Sequence, residues 1–194
     1  VLIENYDINK VVLKTHIENL DIIPANIQLA GAEIELTTTE YRERTLKEKI
    51  YLLENHYDFI LIDCPPSLGL LSLNALTASN SVLIPIQCEY YSLEGVGQLI
   101  DTVKLVKKNL NPGLEIEGVL LNMFDGRTNL SIQVVEEVKK YFPRKVYKTV
   151  IPRNVRLSEA PSFGQPIITY DPRSRGAECY RELAEEVIYN TSWG

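Results

Sequence analysis

The residue type with the clearest chemistry in this chain is a carboxylate at the end of an apolar run. Asp63 closes Phe59-Ile60-Leu61-Ile62 and is followed by Cys64-Pro65-Pro66. An acid at the carboxyl end of a strand, partly dehydrated by the apolar residues below it, suits a hard divalent cation, directly or through a water. Pro65 and Pro66 stiffen the exit and delay the next helix. Ser67 and Asn74 are polar groups that could face the same crevice. The pattern fits equally an aspartate that only closes a turn. A cation-holding acid of this kind works with a phosphate-cradling loop, G-x-x-x-x-G-K-[ST], whose backbone amides converge on the ligand. None of the ten glycines opens such a loop. Gly95-Val96-Gly97 comes nearest and is followed by Gln98-Leu99, without lysine or hydroxyl.

The elements that must position Asp63 alternate. Nearly continuous apolar runs predict strands at Leu20–Pro24, Phe59–Asp63, Val82–Gln87, Glu117–Met123, Val146–Ile151 and Ile167–Tyr170, several with the character of strands covered on both faces. Between them, helical periodicity predicts Tyr41–Asn55 (Leu46, Ile50, Leu53 inward), Leu93–Asn109 (Leu93, Val96, Ile100, Val103, Val106), Asn129–Tyr141 and Ala177–Tyr189 (Tyr180, Leu183, Val187, Ile188). Asn129 is the expected N-cap of the third, with Ile132, Val135 and Val138 buried. Strand–helix alternation with right-handed crossovers gives an α/β, doubly wound, mostly parallel sheet. Ligands of such sheets sit beyond the carboxyl ends of the strands.

Composition narrows the classes. The chain has 194 residues, 45% hydrophobic and 24% charged, enough for a single α/β domain over 1–194. Three scattered cysteines, Cys64, Cys88 and Cys179, make neither a disulfide framework nor a zinc site. No apolar stretch approaches membrane-spanning length and no signal peptide opens the chain. A sequon at Asn190-Thr191-Ser192 stays unused in a cytosolic protein. The first residue, Val1, and the amphipathic segment after it suggest a chain that starts partway through a longer protein. Net charge is −6, yet residues 127–175 carry ten Lys/Arg against four Asp/Glu, a basic block of +6 able to attract a polyanion. The same block also reads as a solvated basic face, and Arg156 and Glu159 have the i, i+3 spacing of a surface ion pair.

Four stretches carry a resemblance: "YDFILIDCPPSLGLLSLNALTAS", "IPIQCEYYSLEGV", "TVIPRNVRLSEAPSFGQPI" and "YDPRSRGAECYRELAEEV". Together they resemble the ParA/Soj chromosome- and plasmid-partition ATPases, from about Asn19 to about Val187. The RNVRLSEAPS stretch is the most specific part, because the related MinD branch shares the Asp-x-Pro turn but not this stretch. The resemblance implies a P-loop NTPase fold of the deviant Walker A branch. It implies a parent that binds ATP and Mg²⁺ in a homodimer, binds DNA without sequence preference, answers to a ParB-like partner and works in the bacterial cytoplasm on the nucleoid, without membrane. Asp63 matches the Walker B acid that holds Mg²⁺, and Pro65, Pro66 and Gly69 the switch turn behind it. Asn122 and Met123, with Pro152, Arg153 and Asn154, match the walls of the adenine pocket. Arg127 and Arg156 match DNA-binding positions, with Lys145, Lys148, Arg153, Arg173 and Arg175 as possible neighbours. Glu89, Tyr90 and Tyr91 match a region near the dimer interface and are given no chemistry. The family's K-G-G-x-G-K-[ST] and D-x-D-P-Q-G-N segments are not in this sequence, so the nucleotide fold is expected to lack its opening strand–loop–helix. This chain alone is then expected to hold no nucleotide stably and to be inactive, since phosphoryl transfer depends on positioning and charge. Two other readings of the parent are a non-enzymatic module binding DNA or a ParB-like protein, and a MinD-type regulator. The last is weakened by a carboxyl end, EEVIYNTSWG, without a basic amphipathic tail.

Overall fold

A computed structural model describes all residues except Asn5, Glu54, Pro66, Tyr90, Tyr91 and Gly194, and the side chains of all of these but Ser92, Leu93, Glu94, Ser192 and Trp193. In chain order the elements are β1 (Leu13–Lys14), β2 (Asp21–Ile22), α1 (Leu29–Glu35), α2 (Thr45–Ile50), α3 (Leu70–Ala78), β3 (Ser81–Gln87), α4 (Ser92–Asn109), β4 (Glu115–Phe124), α5 (Asn129–Tyr141), β5 (Val146–Pro152), α6 (Val155–Glu159), α7 (Ile167–Tyr170) and α8 (Arg175–Trp193). They fall into two compact units, Val1–Ser81 with Leu99–Glu115, and Val82–Gln98 with Ile116–Gly194.

The first unit is mostly helical. β1 and β2 form a two-stranded antiparallel hairpin, Leu13 opposite Ile22 and Lys14 opposite Asp21. Tyr57 donates its hydroxyl to Asp21 Oδ2 at 2.7 Å, which ties the hairpin to the segment leading into Phe59. A buried amide joins α2 to α3. Asn74 is fully buried, its Oδ1 accepts Leu46 N at 3.1 Å, and its Nδ2 donates to Arg42 O at 2.8 Å and Leu70 O at 2.9 Å. Every polar atom of that side chain has a partner, as burial demands. Asn111 does the same for the end of α3, donating to Leu76 O and Ser79 O.

The second unit holds a three-stranded sheet in the order β3-β4-β5, with β4 and β5 parallel. Val119, Leu120 and Leu121 of β4 are buried. Of these, Leu120 joins Tyr147 and Ile151 of β5 and Cys179 and Leu183 of α8 in one core cluster. Gly118 leaves room for the Tyr147 ring, with which a Cβ there would collide. The pairing is irregular: Val119 faces Val146 but Leu121 faces Val150, so β5 carries two extra residues in between. Strand β5 is terminal in the sheet, and its outward amides at Lys148 and Thr149 donate to Glu186 of α8 at 2.8 and 3.0 Å. Burial pushes the Glu186 carboxyl up, but these two amides, with the Thr149 side chain and the Lys148 charge, together outweigh it and leave the group below its ordinary value.

Several expected elements differ. Phe59–Asp63 is not a strand, and Phe59, Ile60 and Leu61 are exposed. A strand is made by its neighbours, and no neighbouring strand pairs with this run among the described residues. Leu20–Pro24 contracts to the two residues of β2. Ile167–Tyr170 is helix α7 rather than a strand. Pro166 starts it, Tyr170 N donates to Pro166 O at 2.9 Å, and Ile167 packs against Ala160 and Ala177 instead of a sheet. The Tyr41–Asn55 helix shortens to α2, preceded by Tyr41 in the left-handed region. Thr128, not Asn129, caps α5 by accepting Ser131 N, which turns the helix so that Ser131, Val134 and Val138 are buried and Ile132 is exposed. On α4, Val103 and Val106 are buried and Val96 and Ile100 half-buried, while the side chain of Leu93 lies outside the described residues. On α8, Leu183 is buried and Tyr180 and Ile188 are exposed.

Candidate functional site

The carboxyl ends of β4 and β5 gather the residues expected to line a flat-ring pocket. Phe124 faces Pro152 across the ladder, and Arg153 N donates to Phe124 O at 3.0 Å. Between the pairs Leu121–Val150 and Phe124–Pro152, β4 carries one residue more than β5, which makes a bulge at Asn122-Met123. Met123 takes that bulge with φ 54°, a left-handed conformation uncommon outside glycine and asparagine. Asn122 Oδ1 supports it by accepting Met123 N at 2.9 Å. Bulges re-aim side chains and cluster beside binding sites, and here the consequence is a half-buried thioether at the sheet's carboxyl edge. Sequence reasoning named Met123 but had no signal for its backbone.

Opposite it, Asn154 caps α6, its Oδ1 accepting Arg156 N at 2.8 Å, so only its Nδ2 is left without a partner among the described residues. Arg153 reaches the exit of β3, where its Nη2 meets Glu89 Oε1 at 2.6 Å. Cys88 N donates to Asn122 O, and Ser131 Oγ to Cys88 O. The exits of all three strands and the start of α5 are thereby fastened together within this unit. Cys88 itself is buried, its thiol pushed up to about 11, and is structural rather than reactive.

Just beyond lie the expected polyanion contacts. Arg127 is wrapped around Asp125, with Nε to Oδ1 at 2.9 Å, Nη2 to Oδ2 at 2.7 Å and the backbone amide to Oδ1 at 3.1 Å. These bonds hold the Asp125 carboxyl down at about 2 and push the guanidinium up. Arg156 donates Nη1 to Glu159 Oε2 at 2.9 Å, and its Nε lies 3.5 Å from Asp171 Oδ2. Tyr170, stacked on Phe163, donates its hydroxyl to the same Glu159 oxygen at 3.2 Å. The i, i+3 pair was visible in sequence, whereas the Asp125 clamp and the Asp171 contact were not.

Lys145 and Lys148 stand elsewhere. Because β4 and β5 are parallel, Lys145 at the entry of β5 lies at the opposite end of the sheet from Arg127 and Arg156, roughly 20 Å away at the rise of a strand. Lys148 is exposed in mid-strand. The four basic residues are therefore not one patch. Arg175 is paired with Glu178 and Glu182, and Arg173 makes no ion pair among the described residues.

In the first unit, Asp63 is exposed in an extended segment, as are Cys64 and Pro65, and Pro66 lies outside the described residues. Gly69 begins α3 as its N-cap, and the Glu33 carboxylate occupies the place where a Cβ would stand. Asn74 does not face a crevice, being consumed by the α2–α3 junction. Among the described residues no group of three His, Cys, Asp or Glu could cage a metal. A single carboxylate such as Asp63 suits Mg²⁺, which keeps several waters and takes its remaining ligands from phosphates.

A helix-flanked sheet with parallel strands, carrying its candidate ligand residues beyond the strand ends, is the α/β fold of the P-loop NTPases. A cobyrinic acid a,c-diamide synthase from Mycobacterium smegmatis, solved with bound ADP and magnesium, superposes with a TM-score of 0.84 at 35% identity, over 100% of this chain and 71% of that one. The AAA domain family model AAA_31 matches residues 1–116. The sporulation initiation inhibitor protein Soj of Bacillus subtilis is 66% identical over 98% of this chain and 75% of its own length. The chromosome partitioning protein ParA of Myxococcus xanthus is 52% identical over 96% of this chain and 66% of its own length. The chain belongs to the Soj/ParA family of chromosome-partitioning ATPases, and spans about two thirds to three quarters of the length of these two relatives.

Proposed function

We propose that this chain furnishes part of an ATP-driven DNA-partitioning protein. It supplies the Mg²⁺-facing acid Asp63, the switch turn at Pro65, Pro66 and Gly69, and a base-binding wall made of Asn122, Met123, Pro152, Arg153 and Asn154. It also supplies a DNA-facing edge with Arg127 and Arg156, to which Lys145 and Lys148 add longer-range attraction. The phosphate-gripping loop is not among its residues. The supporting observation is the convergence of Asn122, Met123, Pro152 and Asn154 on one strand end, with the left-handed Met123 holding a soft apolar surface there. When bound, ATP with Mg²⁺ supplies the energy of the cycle. Nucleotide-dependent pairing of two copies, stimulation by a ParB-like protein and residence on the bacterial nucleoid complete the reading.

Exposed guanidinium groups grip phosphates without reading bases, so binding is insensitive to sequence and falls steeply with salt. In the intact protein, Arg127→Ala with Arg156→Ala is expected to weaken binding to unrelated duplexes equally. Asp63→Ala is expected to abolish Mg²⁺-dependent ATP turnover. Unchanged DNA affinity in the first variant, or full turnover in the second, overturns the corresponding half of the proposal.

A further inference from the structure

Both arginines assigned to the DNA-facing edge are already occupied. Asp125 holds Arg127 through two side-chain bonds and one backbone bond, and Glu159 and Asp171 flank the Arg156 guanidinium. Tyr170 fixes Glu159 by donating to the oxygen that also accepts from Arg156. By contrast, Lys145, Lys148 and Arg173 of the same basic block make no ion pair among the described residues. Arg127 and Arg156 are thus among the cations of the block whose charge is cancelled locally, as Arg153 is by Glu89 and Arg175 by Glu178 and Glu182.

We propose that Asp125 and the Glu159–Asp171 pair are built-in competitors of the DNA phosphates. They hold down the affinity of each arginine site for duplex phosphates. A phosphate approaching Arg127 must displace the Asp125 carboxylate from the same Nε–Nη2 edge or approach against its charge. At Arg156 the approach is opposed by two carboxylates. Exposed pairs of this kind contribute little to folding, so their place beside these arginines is better explained by control of affinity than by stability.

This inference rests on the proposed DNA-binding function. The test is anisotropy titration of the intact protein, with its nucleotide, against two fluorescent duplexes of unrelated sequence at several salt concentrations. Asp125→Asn and Glu159→Gln remove the charge and keep one acceptor oxygen each, so that Asp125→Asn retains the bonds at Oδ1 and gives up the Nη2 bond at Oδ2. Each is expected to tighten binding to both duplexes, by roughly fivefold at low salt from the Coulomb energy of a unit charge about 4 Å away in water, with the gain shrinking as salt rises. Unchanged or weaker binding, with melting curves like those of the parent, overturns the inference, and weaker binding assigns the carboxylates to positioning the guanidinium groups. The Arg127→Ala, Arg156→Ala variant separates the two levels. If it loses affinity while the carboxylate variants do not gain any, only the inference fails. If it binds like the parent, the DNA-binding reading fails and takes the inference with it.

Discussion

Two apolar runs of the same character have opposite fates in this molecule. Val119-Leu120-Leu121 is paired within a sheet and buried, with Leu120 packed against Cys179 and Leu183 of α8. Phe59-Ile60-Leu61 in the first unit forms no ladder, and Leu61 is 90% exposed. Hydrophobicity and β-propensity are alike in the two, so the difference lies in the neighbours. β4 has a strand on each side, and its residues exchange water for side chains of β5 and α8. The other run has chain direction and composition but no edge to join. The first unit coheres through polar pegs, Asn74 and Asn111, as much as through its core.

The comparison is sharpest if the same deletion is made in each run. Leu121→Ala, at a side chain 1% exposed, is expected to cost ~2–5 kcal/mol in denaturant unfolding. Leu61→Ala is expected to stay within about 0.5 kcal/mol. Equal costs would show that the Phe59 run is buried in solution. The peg is tested by Asn74→Ala, which leaves the Leu46 amide and two carbonyls without their partner. A loss of ~1–3 kcal/mol is expected, and a neutral result would mean that α2 and α3 hold together without it. In the core of the second unit the polar residue is a passenger. The Tyr147 hydroxyl is buried without a hydrogen-bond partner among the described residues, and its pKa is pushed up to about 12, chiefly by burial. Tyr147→Phe is therefore expected to be neutral or to raise stability by up to ~1 kcal/mol, and a clear drop in melting temperature would reveal a bond to that oxygen.

The smallest expected effect is the pH response of the Asp125–Arg127 clamp. Its carboxyl is held at about 2 against an ordinary 3.8, first by the Arg127 side chain. A depressed acid contributes stability that is complete above 3.8 and is lost as pH falls through about 2. Asp125→Asn should remove that part of the acid dependence, lying slightly below the parent near neutrality, where the contribution is complete, and converging with it as pH falls through about 2; the gap is small because the pair is exposed. Superimposable curves for the two proteins between those pH values would show the clamp to be open in solution.

The comparison also marks what sequence could reveal. β3, β4, β5, α4, α5 and α8 were legible because their periodicity agrees with the partners they find. Ile167–Tyr170 misled because four β-branched and aromatic residues after a proline read as a strand, while the backbone closes a single helical turn and buries Ile167 against two alanines. Asn122, Met123, Pro152 and Asn154, the residues proposed for the base-binding wall, were named in sequence through the family resemblance. The left-handed bulge that presents Met123 was not, because it depends on register between two strands. The Glu33 carboxylate at Gly69 joins residues far apart in the chain and left no local trace.

Glu186 gives the terminal strand a stopper. Its two oxygens stand where an incoming chain would place its carbonyls, at the Lys148 and Thr149 amides, over the stretch where β5 bulges away from a regular ladder. Any molecule seeking to lengthen the sheet from that side must evict an ionised group from two donors and then accommodate a misaligned rim. Copies of this chain brought close together can thus crowd without their sheets knitting into fibres.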